Sequence, residues 1–266
     1  MPKKVPQVPF IQSLDRGLTI LQAVATSKQP VNLGELAELL NVDRSSAFRL
    51  AQTLRRRGFL STPAGRKDYI LGSAMWTLSR QYDWSNMLVR VAHQELKALA
   101  NGLNETAHLA IREGKNALFI DSVHARHVIV VAGQTGELAP LYATAHGKAL
   151  LTGADEQQLK SIFGTGPLKK YTKSTIQTIP ALAKECASIR QTGYACDEAE
   201  FMEGVRCVAA PIRLNDGIVV GSIGISAPAS RFLKENYPAH SKRVVQCATR
   251  IGELLSMSEE VAEQTA

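Results

Sequence analysis

The stretch LGELAELLNVDRSSAFRLAQTLRRR, residues 33–57, decides the fold of the first part of this chain. It contains two apolar stripes at helical spacing, one over residues 33–40 and one over residues 47–54, separated by only a few residues. Asn32 followed by Glu35 predicts a capping box at the start of the first helix. Two short helices joined so closely must cross at a steep angle, which is typical of a helix-turn-helix unit.

The second helix, which begins after Asp43, directs polar and basic side chains away from its apolar stripe. Such side chains hydrogen-bond base edges, and Arg bridges guanine O6 and N7. Two short strands, near residues 59–60 and 69–71, flank the basic turn 62–67 and predict a wing that touches phosphate or a minor groove. The alternative is an ordinary solvated helical hairpin. The predicted DNA-contacting residues are Arg44, Ser45, Ser46, Phe48, Arg49, Gln52 and Arg56 on the helix, with Arg66 and Lys67 on the wing.

The distribution of charge independently indicates a polyanionic partner. The chain carries 31 basic and 24 acidic side chains, a net charge of +7. Residues 1–72 hold 11 basic and 5 acidic side chains, whereas the remaining 194 residues hold 20 and 19. A basic targeting arm is the alternative, but Lys3 and Lys4 alone are too few to explain the asymmetry. The excess charge on the first quarter of the chain therefore favours double-stranded DNA as the partner.

Composition limits the remaining classes of function. No apolar run approaches the 18 or more residues of a membrane-spanning helix, and no signal-peptide core follows the N-terminus, so we expect no membrane partner. The four cysteines lie far apart without Cys-x-x-Cys spacing, which favours a reduced cytoplasmic protein over a disulfide framework or a zinc site. No cofactor motif is present, so we predict neither a cofactor nor a metal.

Three segments are predicted along the chain. Residues 10–72 form the winged helix-turn-helix domain, residues 73–87 a linker helix, and residues 88–258 a second domain. A helix over residues 13–27 precedes the helix-turn-helix, with Leu14, Leu18, Leu21 and Ala25 as its predicted buried face. The linker helix carries apolar residues that we expect to form contacts between two copies of the chain, giving a homodimer.

From Glu105 onward the pattern changes to short strands and helices. The sequence Asn215-Asp216-Gly217 between two apolar runs is a strong hairpin signal. We therefore predict an α+β fold, in which an antiparallel sheet flanked by helices forms a GAF-like effector domain. The predicted strands cover residues 106–112, 117–122, 128–131, 207–214 and 218–226, and the predicted helices cover 140–151 (after a loop), 155–163, 180–192 and 235–256.

Ordered motifs extend this pattern over nearly the whole chain. They are SLDRGLTIL (13–21), LGELAELLNVDRSSAFRLAQTLRRRGFL (33–60), YILG (69–72), PLYATAHGKALL (140–151), RQTGYACDEAEFMEGVRCVAAPI (190–212) and GSIGIS (221–226), followed by Pro228 and Arg231. On these motifs the chain resembles the IclR family of transcriptional regulators. The resemblance implies a winged helix, a linker helix and a GAF-like domain in dimers or dimers of dimers that bind promoters. It also implies a response to small metabolites, often carboxylic or aromatic acids.

The resemblance further implies an effector site in the second domain. The loop before the Gly-Lys-Ala motif, which supplies backbone donors, corresponds to Ala145 and His146, and the remaining positions correspond to Asp197, Cys207 and Ser226. A helix start and loop N–H groups favour an anionic oxygen, and a hydroxyl hydrogen-bonds it. Because two carboxylates repel, we expect Asp197 to accept from a ligand hydroxyl or to orient a loop.

Leu141 is predicted as an apolar wall of the same site. Two other positions depart from the family pattern. A small residue is usual where His146 stands, and Gly224 occupies a place where some members carry a second serine. For His146 the alternative is a hydrogen-bonded histidine at a helix start, and for Cys207 it is a small buried hydrophobic residue.

An enzyme is the competing class of function. His146, Asp197 and Cys207 together suggest a thiol hydrolase triad or a metal site, although their spacing specifies neither. The sequence around His146 lacks the phosphate-binding loop pattern, and residues 221–226 lack the context of a dinucleotide-binding strand. We therefore predict no catalytic residue. A dimeric regulator that binds DNA without any ligand is the other alternative.

Overall fold

The computed structural model describes residues 11–79, 83–124 and 135–264. Contacts divide the chain into two compact units, Met1–Asp83 and Trp84–Ala266. The predicted linker over residues 73–87 corresponds to one short helix and the first residues of a longer one. The predicted strand at residues 128–131 lies outside the described residues.

The first unit is a winged helix-turn-helix. Its helices are α1 (Gln12–Thr26), α2 (Leu33–Leu40), α3 (Arg44–Arg56) and α4 (Ser73–Ser79), and strands β1 (Leu60–Ser61) and β2 (Ile70–Leu71) pair antiparallel. A small core, built around residues such as Ile20, Leu36 and Ala51, holds the helices against the wing. The helix-turn-helix and wing predicted from residues 33–71 are thus confirmed.

The face of α1 that packs on this core differs from the prediction. The buried residues are Gly17, Ile20 and Val24, whereas Leu14 and Leu18 are each more than half exposed. Helix α1 carries two adjacent apolar stripes. The stripe that includes Ile20 and Val24, and not the one that includes Leu14 and Leu18, lies on the side of α1 that contacts α3 and β2. Of the four predicted residues, Leu21 packs against the core, whereas Leu14, Leu18 and Ala25 are exposed. Periodicity alone does not distinguish two adjacent stripes, so the prediction was wrong for these three residues.

The second unit has a six-stranded antiparallel sheet with helices on both faces. Its strands are β3 (Thr106–Glu113), β4 (Asn116–Val123), β5 (Leu138–Pro140), β6 (Ala195–Glu198), β7 (Val205–Arg213) and β8 (Val219–Pro228), in the spatial order β5-β4-β3-β8-β7-β6. Its helices are α5 (Asp83–Leu103), α6 (Ala145–Leu150), α7 (Glu156–Phe163), α8 (Ile179–Thr192) and α9 (Tyr237–Gln264). The α+β class and the antiparallel sheet are confirmed; strands β5 and β6 were not predicted.

Alternate side chains of β7 pack against different helices, which shows which helices cover each face of the sheet. Val208, Ala210 and Ile212 belong to a core shared with α5 and α9, whereas Cys207 and Ala209 pack against α6 and α8. Side chains two residues apart on a strand point to the same face. The odd-numbered residues of this strand therefore face α6, and a site can form between that helix and the sheet.

Glycine allows α6 to lie close to the turn before it. Residues Leu141–Ala143 form a single 3-10 turn, and a Cβ on Gly147 would lie 2.2 Å from the carbonyl oxygen of Leu141. Leu141 itself is completely buried in a core with residues of α7 and α8. This close packing fixes the start of α6 against the sheet.

Candidate functional site

Helix α3, the second helix of the helix-turn-helix, starts at a well-formed cap. The Asp43 side chain accepts hydrogen bonds from the backbone amides of Ser45 and Ser46, both at 2.9 Å, and from the Ser46 hydroxyl at 2.7 Å. These bonds hold the pKa of the Asp43 carboxyl below its ordinary value. The predicted capping box of α2, between Asn32 and Glu35, is also present. The caps therefore fix where the second helix leaves the turn.

Most side chains predicted to contact DNA lie at the surface of the first unit. Ser46 is an exception, because it is partly buried and its hydroxyl is bonded to Asp43, so it belongs to the cap. Phe48 is 46 % exposed, which is a large exposure for an aromatic ring and leaves it available to a partner. Gln52 is partly exposed. The exposed polar members of the set are Arg44, Ser45, Arg49, Arg56, Arg66 and Lys67.

Helix α3 and the wing share a cleft of about 450 Å³. Arg44, Phe48 and Gln52 line it from the helix, and Arg66 and Lys67 line it from the wing. Ser45, Arg49 and Arg56 do not line the cleft; they lie on the adjacent exposed stripe of the helix. Arg55, which the sequence prediction omitted, is also in the cleft. It could have been found from its spacing of seven residues after Phe48.

A cavity of about 410 Å³ lies in the second unit, between α6 and the sheet. It contains five of the six predicted effector residues, which come from separate segments of the chain. Leu141 is the sixth, and this prediction is corrected, because its completely buried side chain packs in a core with residues of α7 and α8 and does not line the cavity. The apolar walls come instead from Phe119, Leu138, Phe201, Met202 and Val205; the predicted residues that line the cavity are Ala145, His146, Asp197, Cys207 and Ser226.

Three of these residues are direct cross-strand neighbours. Asp197 on β6 is paired in register with Cys207 on β7, and Cys207 is paired with Ser226 on β8. The Cys207 thiol donates to the Ser226 hydroxyl at 3.1 Å. Strand pairing thus brings together three side chains that are up to 29 residues apart in sequence. Gly224 lies two residues before Ser226, where a Cβ would lie 2.4 Å from the carbonyl oxygen of Val208.

Two buried histidines and a phenylalanine form an aromatic cluster in the cavity. The His146 ring lies edge-on to Phe119 at 5.3 Å between centroids and 6.0 Å from His108. Nδ1 of His146 is 3.1 Å from the Ser222 hydroxyl, and its Nε2 is buried without a hydrogen-bond partner among the described residues. Burial lowers the pKa of His108 to about 4 and that of His146 to about 3, so both rings are neutral at pH 7.

Asp197 positions the loop that follows its own strand. Its Oδ1 accepts from the backbone amide of Glu200 at 2.6 Å, which is the loop-orienting role predicted for this carboxyl. Burial raises the pKa of Asp197 to about 7, despite this hydrogen bond. The loop is held further at Ala199, which adopts a φ of +60° and whose carbonyl accepts from the Thr172 hydroxyl at 2.7 Å. These contacts hold the residues directly before Phe201, whose side chain lines the cavity.

A buried ion cluster that sequence reasoning missed lies beneath the cavity. Lys148, on α6 two residues after His146, is only 1 % exposed, and its Nζ contacts Glu200 at 2.6 Å and Glu185 at 3.1 Å. Burial alone would lower the pKa of Lys148, but the two carboxylates outweigh it and raise the pKa. A lysine in an apolar helix is the only sequence signal, because the two partners are distant in sequence. The cluster joins α6, α8 and the loop around Glu200.

The thiols do not have the properties of a nucleophile. All four cysteines are free, and burial raises the pKa of Cys186 to about 11, that of Cys196 to about 12 and that of Cys247 to about 11. The pKa of Cys207 is raised still further, by burial and by Asp197. Among the described residues, no three His, Cys, Asp or Glu side chains are grouped to hold a metal. A thiolate is the reactive form, so the geometry does not favour the hydrolase alternative.

The two units match two parts of one family. Residues 13–63 match the IclR helix-turn-helix domain, and residues 82–253 match the bacterial transcriptional regulator IclR C-terminal domain. The chain belongs to the IclR family. It is a DNA-binding transcriptional regulator, as the resemblance of its motifs implied. No helix that the structure describes is long and apolar enough to span a membrane.

Relatives of known identity cover nearly the whole chain. The chain is 28% identical over 246 residues to the HTH-type transcriptional repressor AllR of Escherichia coli K12, covering 92% of this chain and 91% of that protein. The crystal structure of Thermotoga maritima IclR has 28% identity, a TM-score of 0.73 and coverage of 92% and 98%. The C-terminal domain of Escherichia coli KdgR has 29% identity and a TM-score of 0.57, covering 64% of this chain and 99% of that domain.

Proposed function

We propose that a small metabolite, bound in the cavity between α6 and the sheet, modulates how this IclR-family regulator binds its promoter. The observation that carries the proposal is the buried polar lining. Asp197, Cys207 and Ser226 meet on three neighbouring strands, and His146 keeps a buried Nε2 without a partner among the described residues. A buried polar atom without a partner costs about 1–3 kcal/mol, and a bound ligand that supplies a hydrogen bond offsets that cost.

The ligand class follows from the same groups. The predicted class is a small carboxylic or aromatic acid, with its carboxylate on the backbone amides at Ala145 and His146. The ring cluster of His108, Phe119 and His146 supports an aromatic or planar ligand, because it offers ring faces and edges. Asp197, which holds a proton up to about pH 7, donates to an acceptor below that pH and accepts from a hydroxyl above it.

We infer that promoter DNA is bound by α3 and the wing of two copies of the chain. Arg49 and the other exposed side chains of α3 read bases, and Arg66 and Lys67 contact phosphates. Leu14, Leu18, Trp76 and Leu78 are each more than half exposed on the first unit, and these apolar side chains support a homodimer or a dimer of dimers. We place the regulator in the cytoplasm, where its promoter lies, and assign it no catalytic residue.

A thermal-shift screen separates a sensor from an enzyme. Full-length protein is heated with a panel of small aliphatic and aromatic carboxylic acids, and any acid that raises the melting temperature is recovered and analysed. A sensor is stabilised in a saturable way by a compound that it leaves unchanged. Chemical conversion of the compound would favour an enzyme. No stabilisation by any acid, combined with tight DNA binding, would favour a regulator without a ligand.

Variants of the cavity test the site itself. Ser226→Ala and Cys207→Leu should lose the response to the stabilising acid in calorimetry and in gel shifts, because the ligand loses a hydroxyl partner or its space. Both should still bind the operator, selected from a random duplex library, when no acid is added. Unchanged affinity for the acid in both variants would place the ligand site elsewhere. Loss of DNA binding by both would make these residues structural.

A further inference from the structure

A second cleft, of about 480 Å³, opens on the same unit where the end of β3, the α6–α7 turn and the β7–β8 hairpin meet. It shares no lining residue with the cavity described above. Helix α6 reaches both, since Ala145 and His146 line the cavity and Leu150 lines the cleft. The cleft is therefore a separate site connected to the cavity by a single short helix.

Three arginines from distant segments converge at this cleft. Arg112 on β3 and Arg213 on β7 line it. Arg190 on α8 lies behind its rim, where Nη1 donates to the carbonyl oxygen of Thr152 at 2.8 Å, and Arg213 reaches the Thr152 hydroxyl at 3.5 Å. Burial, and then repulsion by Arg190, lower the pKa of Arg213. Like charges gathered in this way favour an anion between them.

No carboxylate of the described residues neutralises this cluster. The lining contains no acidic side chain, and the ion pairs of the described part of the chain include none of the three arginines. Arg112 donates only to the carbonyl oxygen of Gly114 at 3.1 Å, and Arg213 donates to that of Gly217 at 3.2 Å. Each guanidinium has five N–H donors, so most remain available to an anion.

The rest of the lining supplies neutral donors and an apolar wall. Oε1 of Gln158 accepts from the backbone amide of Asp155 at 2.8 Å, which leaves the amide N–H groups of Gln158 as donors, and Ser161 adds a hydroxyl. Ile162 and Val219 form an apolar wall beside them. A ligand that fits this lining has an anionic group at one end and an apolar part at the other.

We propose that this cleft binds a second small molecule, an anion whose carboxylate or phosphate group is held by Arg112 and Arg213. The planar guanidinium fork matches either group.

The test uses the full-length chain and two probes, inorganic phosphate and butyrate, each titrated at constant ionic strength against sodium chloride. Arg112→Gln is the variant of choice, because Arg112 is exposed and bonded to a single carbonyl. Arg243→Gln is the matched control, since Arg243 is also exposed and donates to a backbone carbonyl, that of Gly102 at 2.6 Å, outside the cleft.

We expect at least one probe to raise the melting temperature in a saturable way in the wild type and in Arg243→Gln. Affinity in Arg112→Gln and in Arg213→Gln should fall about tenfold or more, the loss of one charge-assisted hydrogen bond. Butyrate alone would identify a carboxylate and phosphate alone a phosphate. An equal response in Arg112→Gln and Arg243→Gln would overturn the proposal, because the anion would then bind elsewhere, such as on the basic first unit.

DNA is the remaining source of phosphate. If Arg112→Gln weakened DNA binding while Arg243→Gln did not, the cleft would hold a phosphate of the DNA backbone, and the proposal of a small molecule would be wrong. We expect both variants to bind DNA like the wild type.

Discussion

Helix α3 with the wing and the cavity between α6 and the sheet differ in how their side chains are distributed along the sequence and in how deeply those side chains are buried. The side chains that we propose to contact DNA lie within one stretch of 24 residues, Arg44 to Lys67, and all but Ser46 and Gln52 are exposed. The cavity is lined by residues from Ala145 to Ser226, and His146, Asp197, Cys207 and Ser226 are buried. On the helix a side chain can change without disturbing the fold. In the cavity the groups that we propose to bind ligand also take part in the packing and hydrogen bonding of the fold.

Because of this difference, we expect substitutions of exposed side chains to change DNA affinity and substitutions of buried side chains to change folding stability. An exposed charge contributes little to folding, because water already solvates it, whereas a buried charge that loses its partner is strongly destabilising. Variants of the first unit should therefore change DNA binding at constant stability. Variants beneath the cavity should change stability first, and the four predictions below use this contrast.

The largest effect is expected for Lys148→Met. Removing this cation leaves Glu200 buried without its partner, which should destabilise the second unit by about 3–5 kcal/mol. Lys160→Met is the matched control, because Lys160 pairs with Glu156 at 2.7 Å with both side chains nearly half exposed, and should cost less than about 1 kcal/mol. Urea unfolding followed by circular dichroism measures both. Equal losses would show that burial does not set the energetics of this ion pair.

Asp197→Asn should remove a pH dependence of stability. Folding raises the pKa of Asp197 from 3.8 to about 7, so the folded chain holds a proton that the unfolded chain has lost over this interval. The stabilising contribution is full below about pH 3.8 and is lost as the pH rises through about 7. Relative to the wild type, the variant should therefore gain about 2–4 kcal/mol between pH 4 and pH 8. Urea unfolding at several pH values checks this, and a constant difference would contradict it.

Arg49→Ala should weaken operator binding by about 1–3 kcal/mol and relax base preference locally, because it removes a bidentate base contact. Its melting temperature should equal that of the wild type. Fluorescence anisotropy with the selected operator measures the loss, and Arg90→Ala, an exposed arginine on α5, is the control. Wild-type affinity in Arg49→Ala would show that another stripe of α3 faces the bases.

Lys67→Ala should have the smallest effect, a uniform one. A lysine that contacts one phosphate releases about one counterion, so the slope of log affinity against log salt should decrease by about 0.9. Operator and unrelated DNA should lose affinity equally. Footprinting at several salt concentrations tests this, and a loss confined to the operator would instead make Lys67 a base contact.

The sequence predicted the first unit in more detail than the second because its signals are local. The caps at Asn32 and Asp43 and the helical spacing of α2 and α3 depend on residues within one turn of each other. The prediction of which face of α1 is buried was wrong because the helix carries two adjacent apolar stripes, and spacing alone does not show which of them faces the core. In the second unit the hairpin at Asn215-Asp216-Gly217 was predicted for the same local reason. Leu141 and Lys148 depend on partners that are distant in sequence, on α7, α8 and the loop around Glu200, which spacing does not reveal.

The cavity residues were located only through the resemblance to the family. Nothing in the local sequence pairs Asp197 with Cys207 or Cys207 with Ser226; the register of β6, β7 and β8 does so. The family motifs mark these positions, because the strand register that brings them together belongs to the fold of the family. They do not predict the neutral state of His146, which follows from its burial.

The raised pKa values of the cysteines have a consequence for how this regulator responds to its surroundings. Peroxides and alkylating agents react with thiolates, and at neutral pH Cys186, Cys196, Cys207 and Cys247 all remain protonated. We therefore expect the four thiols to react slowly with peroxide at neutral pH. We expect stored protein to keep its DNA-binding activity without a reducing agent.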